Sequence, residues 1–264
     1  MKNGFITIYF ALLGLLFGSL GNVVIYRLPR GQSLTRPARS YCPRCEHGLS
    51  WRDLVPVFSW LLLRRQCRYC GEPISARYPC VEAACAALFG LIAWYAQPLW
   101  AAGAMCVLAL CLLCLALIDW DTQTLPDGLH LVIAAAGALY AALSALSGEG
   151  WPAMLRALLG AAAGAIPLLV IDLLCRLTIK KDAFGYGDMK LMAAAGLFLS
   201  WQTALLALLL AFVTGGLAAL VLRRMGRLER GAYVPFVPAL GLGILTAALA
   251  GEPLIAWYLG LLML

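Results

Sequence analysis

Two sets of residues in this 264-residue chain could do chemistry: carboxylates at the edges of apolar runs, and cysteines in matched pairs. Asp119 closes the run Leu115-Ala-Leu-Ile-Asp119, and Asp188 opens another in Phe184-Gly-Tyr-Gly-Asp188-Met-Lys190. Asp121, Asp127, Asp172 and Asp182 also border apolar runs. A charge at the edge of a bilayer is costly, so each of the six is a functional candidate. Two carboxylates sharing one proton can activate a water, one as base while the other donates to a substrate carbonyl. That would be peptide hydrolysis without a metal or a covalent nucleophile. The plainer role for each aspartate is a helix cap, and the residues alone leave Asp121 and Asp127 in contention with Asp119. Gly185 and Gly187 around Asp188 permit close backbone approach and dihedrals that other residues avoid. Lys190 either neutralises this site or snorkels at a span end.

Cys42-Pro-Arg-Cys45 and Cys67-Arg-Tyr-Cys70 form two Cys-x-x-Cys knuckles separated by 21 residues. This is the spacing of a four-cysteine zinc site. Four thiolates saturate a tetrahedral ion and leave no position for catalytic water, so Cys42, Cys45, Cys67 and Cys70 read as a structural zinc site. His47 is a competing ligand that four cysteines make unnecessary. Cys85, Cys106, Cys111, Cys114 and Cys175, in apolar runs, read as small hydrophobes; Cys80, at a loop edge, is left undecided. His130 has no Ser or Cys motif beside it, which excludes a nucleophile triad argument.

The elements that must hold these residues are membrane spans. Hydrophobic residues make up 63% of the chain and charged residues only 12%, too apolar for a soluble domain. Lipid cannot satisfy open backbone, and no barrel-like alternation appears, so an all-α polytopic membrane protein follows. Apolar blocks predict about eight spans, including a short one at Met189 to Leu199; Leu254 to Leu264 is too short to assign. The chain divides into a first transmembrane helix (1–26), a four-cysteine zinc-binding insert (27–80) and a multi-helix core (81–264). The net charge of +7 does not call for nucleic acid. All 20 basic residues except Lys2 and Arg156 fall in 27–77, 176–190 or 223–230, which the positive-inside rule places in the cytoplasm. The turns at Asp119 to Gly128, Arg176 to Asp188 and Arg223 to Gly231 then share that side.

Asp119-Trp-Asp-Thr-Gln-Thr-Leu-Pro-Asp127 together with Gly185-Tyr-Gly-Asp-Met-Lys190 resembles the paired signature of type IV prepilin peptidases, relatives of the Gly-x-Gly-Asp intramembrane aspartyl proteases. Gly18-Ser-Leu-Gly-Asn-Val-Val-Ile-Tyr-Arg-Leu-Pro29, Pro56-Val-Phe-Ser-Trp60, Ser75-Ala-Arg-Tyr-Pro79 and Val81-Glu82 resemble that family's N-terminal half. The likeness runs in order over about residues 18 to 190. It implies that Asp119 and Asp188 are the catalytic pair, with Asp121 and Asp127 auxiliary. It also implies cleavage of leaders from type IV prepilins or type II secretion pseudopilins at the cytoplasmic face of a bacterial inner membrane. A second implied activity is S-adenosylmethionine-dependent methylation of the new N-terminus, usually Phe. No Gly-rich nucleotide loop marks a site for that cofactor, whose binding residues stay unassigned. Two rivals explain part of the pattern: a membrane transporter, which would place its carboxylates near the midplane, and a zinc-anchored scaffold with aspartates as caps.

Overall fold

The computed structural model describes residues 2–37, 39–96, 98–180, 182–226 and 234–262. Among them it is helical, with two isolated β-bridges and no strand. Its helices are α1 (Lys2–Arg27), the short α2 (Phe58–Leu62), α3 (Arg77–Tyr95), α4 (Leu99–Thr122), α5 (Asp127–Ser144), α6 (Trp151–Thr178), α7 (Tyr186–Gly196), α8 (Trp201–Arg224) and α9 (Val237–Leu262). Seven of these are long and apolar enough to cross a membrane, all but α2 and α7. The expected eighth span is therefore corrected. The apolar run around Met189 to Leu199 folds as an 11-residue helix, about 16 Å long, roughly half of what a bilayer core requires. At the C-terminus, Pro253 does not end α9, which runs on to Leu262 through most of the segment left unassigned. Most of the turn expected over 223–231 lies outside the described residues.

Contacts divide the chain into two compact units, residues 1–102 and 103–264. In the first unit α1 lies along α3. A Cβ on Gly14 would sit 2.6 Å from the Ala86 Cα, and one on Gly18 would sit 2.7 Å from the Glu82 Cα. Small residues four apart let two backbones meet, which in lipid supplies the packing that a hydrophobic drive between helices cannot. The opposite face of α1 exposes Phe5, Ile8, Leu12 and Leu16, as a lipid-facing surface should.

The second unit is built around α7. Met189, Leu191, Met192, Ala194 and Ala195 are all buried, in one cluster with Leu112 and Leu115 of α4, Ile133 of α5, Leu168 of α6, Leu208 of α8 and Leu240 of α9. A helix enclosed by protein can stop at mid-depth, because its open backbone meets protein rather than lipid. At its far end the chain turns through Leu197 to Leu199, and Ser200 caps α8 by accepting from the Thr203 amide at 3.3 Å. The contact between α6 and α7 is backbone on backbone. A Cβ on Gly160 would lie 2.1 Å from the Leu199 carbonyl oxygen and 2.3 Å from that of Gly196.

Gly160→Val should therefore overpack this seam and destabilise the second unit by about 1–3 kcal/mol. Gly103→Ala adds a methyl with no atom within 4 Å and should not lower the melting temperature in detergent. Equal melting of Gly160→Val and wild type would refute the seam.

Candidate active site and metal centre

In the first unit the two knuckles fold alike, since each cysteine pair lies in a tight local turn. Cys42 donates its amide to His47 O (3.0 Å) and accepts from the Glu46 amide (2.8 Å); Cys67 does the same with Glu72 O (2.8 Å) and the Gly71 amide (2.9 Å). The turns close with positive φ at Glu46 (58°) and Gly71 (72°). One bridge pairs Tyr41 with Gly48, the other Gln66 with Pro73. All four Sγ atoms lie within 4.8 Å of one another and could hold a metal ion. Cys42 Sγ and Cys70 Sγ are 3.9 Å apart, close to the ~3.8 Å that a tetrahedral ion with 2.3 Å bonds to sulfur requires. His47 stacks on Tyr69 at 3.7 Å between ring centroids and is not part of the cluster. Asp53 braces the loop, accepting from Arg68 Nε at 2.6 Å and from Ser50 Oγ at 2.7 Å. Burial alone would raise the Asp53 carboxyl, but Ser50 and Arg68 outweigh it and hold it down at about 2.

In the second unit the two aspartate motifs meet at one end of the bundle. Gly187 lies against Leu125, which a Cβ would approach to 2.5 Å, and Lys190 Nζ donates to Asp127 Oδ1 at 2.8 Å. Gly187 thus serves close approach. Neither it nor Gly185 adopts positive φ, so the expectation of unusual dihedrals is corrected. The pairing of Lys190 with Asp127 likewise replaces a snorkelling role.

Of the six candidate carboxylates, Asp119 (2% exposed), Asp172 (3%) and Asp188 (2%) are buried, while Asp121, Asp127 and Asp182 are exposed. Asp172 is fully engaged. Its Oδ1 accepts from the amides of Ala183 (2.9 Å) and Phe184 (3.4 Å), and its Oδ2 lies 2.7 Å from Arg176 Nε. It ties down the loop that leads into α7, a role that sequence reasoning missed; the spacing of Asp172 and Arg176, four apart on a helix, was its only sequence signal. Asp182 is a second, outer partner of Arg176 at 3.1 Å.

Asp119 and Asp188 differ from Asp172 in having capacity left. Asp119, on the last turn of α4, accepts through Oδ2 from the Val237 amide at 3.1 Å, so its carboxylate meets the N-terminus of α9. Asp188 lies in the first turn of α7, and its buried Oδ1 has no hydrogen-bond partner among the described residues. Each is thus at a helix N-terminus, where partial positive charge favours an anion. Burial pushes the Asp188 carboxyl up to about 6, with the Asp119 charge adding to the rise. Phe184, Phe212 and Phe236 stack on one another at 5.4–5.8 Å between centroids, pinning the segments that enter α7 and α9. His130 is buried nearby, with its Nδ1 3.9 Å from Asp127 Oδ1. Two close buried carboxylates, one with an unused oxygen, form an arrangement able to hold a water and share a proton.

Residues 12–96 match the family model of the bacterial peptidase A24 N-terminal domain, and residues 106–220 match that of the type IV leader peptidase family. These segments follow the two compact units. The chain is 37% identical over 270 residues to the prepilin leader peptidase/N-methyltransferase of Stutzerimonas stutzeri, covering 94% of this chain and 91% of the relative. It is 44% identical over 206 residues to the protein of that name from Klebsiella pneumoniae (76% and 88% covered) and 33% identical over 285 residues to that from Aeromonas hydrophila (98% and 97%). No solved structure matches the chain.

The cysteine geometry predicts one bound metal ion per chain by elemental analysis. Cys42→Ser or Cys67→Ser should abolish it, whereas Cys175→Ser, in α6, should leave it unchanged. Undiminished metal in the first two variants would exclude this cluster.

Proposed function

Because this chain belongs to the type IV leader peptidase family, we propose that it is a bacterial inner-membrane aspartic endopeptidase. Its substrates are prepilin or pseudopilin precursors, whose leaders it removes, and it then methylates the exposed amino terminus using S-adenosylmethionine. The observation that carries the peptidase reading is the burial of Asp119 and Asp188 together at one end of the second unit. With one proton shared between them, the ionised carboxylate takes a proton from water while the protonated one donates to the scissile carbonyl. Val237 orients Asp119, Asp172 holds the loop before Asp188, and Gly187 against Leu125 keeps the two motifs in register. Lipid lies around the spans in this reading, and the arginine-rich segments support a site on the cytoplasmic side through the positive-inside rule. There a basic leader stays in water while the apolar segment behind it enters the bilayer.

The metal is zinc in this reading, and its task is to fold the cysteine loop. Four thiolates bind zinc in preference to hard cations, and a loop with little core of its own draws its folding energy from the ion. The relatives' names supply the methyltransferase half; the two rival readings explain neither the family membership nor the paired burial.

Purified Asp119→Asn and Asp188→Asn variants should each process a prepilin at least about a hundredfold more slowly, the scale of losing a general acid or base. Asp121→Asn should retain activity. Normal processing by either dyad variant with intact melting would refute the assignment. Since Asp188 must keep the shared proton and its carboxyl lies at about 6, the rate should decline as pH rises through that value. A profile flat from pH 5 to 8 would contradict it.

A further inference from the structure

One face of the cysteine loop reverses the usual placing of polar and apolar side chains. Helix α2 spans only Phe58–Leu62, and its Phe58, Leu61 and Leu62 are all exposed, Leu62 at 82%. Positions three and four apart share one side of a helix, so the three form a single apolar surface. Ser59, on the other side, is buried and donates through Oγ to the Val55 carbonyl oxygen at 2.7 Å. The one-turn helix Trp51–Asp53 packs beside α2 and adds Trp51, 73% exposed. A loop surrounded by water would turn such a face inward.

The fold holds this face out firmly. Val57, just before α2, has φ at 62°, and Arg64 and Arg65, just after it, have φ at 52° and 67°. Left-handed backbone at a β-branched residue and two arginines is costly and persists only where the surroundings enforce it. Here α2 is tied from below. The Val57 amide donates to Glu82 Oε2 at 2.7 Å, and Trp60 Nε1 donates to the Ile74 carbonyl oxygen at 3.0 Å.

The bond to Glu82 also fixes the depth of α2. Helix α3 has 19 residues, about 28 Å, so as a span it uses nearly its whole length to cross a hydrocarbon core of about 30 Å. Glu82 lies five residues beyond its start at Arg77, about 8 Å along the axis. A segment bonded there sits at the boundary between hydrocarbon and headgroups rather than out in bulk water. Tryptophan favours that boundary, and arginine there keeps its guanidinium among headgroups while its stem lies on apolar surface. Arg68 pairs with Asp53 at 2.6 Å, whereas Arg52, Arg64 and Arg65 are exposed and have no acidic partner among the described residues. Arg52 lies over the Trp51 ring and Arg65 over that of Trp60, so the cations flank the apolar face. An apolar face with unpaired cations at its rim matches a leaflet of anionic phospholipid.

We propose that α2 and Trp51 dock the cysteine loop onto the anionic cytoplasmic leaflet. The apolar side chains enter the acyl boundary, and Arg52, Arg64 and Arg65 meet phospholipid headgroups. This contact lies outside the spans and makes the metal-folded loop a part of the membrane surface. It rests on the spans and their orientation and is independent of the peptidase and methyltransferase activities.

The test places photoreactive p-benzoylphenylalanine at Leu62 of the full-length protein, in nanodiscs of phosphatidylglycerol in one arm and phosphatidylcholine in the other, with a prepilin present. Mass spectrometry after irradiation should find the adduct on phospholipid, about fivefold more of it in phosphatidylglycerol, the scale of one basic residue at an anionic surface. Arg52→Gln combined with Arg64→Gln should bring the two lipids to the same yield at an unchanged melting temperature. The comparison of the two lipids needs no charge variant, so it decides the matter even where the double variant fails to fold. Equal yields in both lipids, a preference that the folded double variant keeps, or an adduct on residues 103–264, a second copy or the prepilin overturns the docking face.

Discussion

A carboxylate inside an apolar helical bundle has to find its hydrogen bonds in the protein, and the cheapest donors there are the free amides at helix N-termini. This constraint organises the second unit. Asp119 reaches the first amide of α9, Asp188 sits in the first turn of α7, and Asp172 takes the amides of the loop just before that turn. Three chain reversals are thereby drawn to one end of the bundle. The packing of Gly187 on Leu125 and the ion pair of Lys190 with Asp127 then lock the α4–α5 turn against the start of α7. Remove the carboxylates, and the reversals lose the contacts that gather them.

The same constraint separates the roles of the three buried aspartates. Asp172 has every oxygen engaged and a guanidinium beside it, so its charge is fixed and it can only position. Asp119 is oriented by one amide, and Asp188 keeps a buried oxygen with no donor among the described residues. Unsatisfied buried polar atoms are costly, and the place where such a cost is tolerated is where a water or a substrate completes the bonding. The asymmetry between a satisfied Asp172 and an unsatisfied Asp188 is a stronger functional signal than burial alone, which all three share.

How much of this was legible beforehand depended on range. The cysteine knuckles were readable because ligand spacing within a tight turn is local, and the structure brings Cys42, Cys45, Cys67 and Cys70 together. The all-α membrane architecture followed from composition. Asp119 and Asp188 were singled out by resemblance to a paired motif, since their burial depends on α9 and α7, which no spacing rule connects. The length of α7 misled, because an apolar run reads the same whether it crosses lipid or ends inside protein. The segment Leu254 to Leu264 was too short to assign by itself because it is mostly the continuation of α9 through Pro253; a helix in an apolar setting continues through a proline when the alternative is open backbone. Asp172 read as a cap because its true partners, the amides of Ala183 and Phe184, are set by how the loop folds back. Glu82 was no more than one member of a motif until its bond from the Val57 amide appeared.

The shortness of α7 has its own logic. From Asp188 to Gly196 is eight helical steps, about 12 Å of rigid rod. The far end of that rod is fixed by backbone contact, Gly196 against Gly160 and Ala161, where no side chain can rearrange to absorb a shift. The depth of Asp188 is therefore set at the bottom of the helix rather than by the loop above it. A full-length span in the same place would have its depth set by the match between its own length and the bilayer. A half-length helix anchored on glycine takes its depth from the protein, which is what the proposed sharing of a proton between two aspartates on different helices demands.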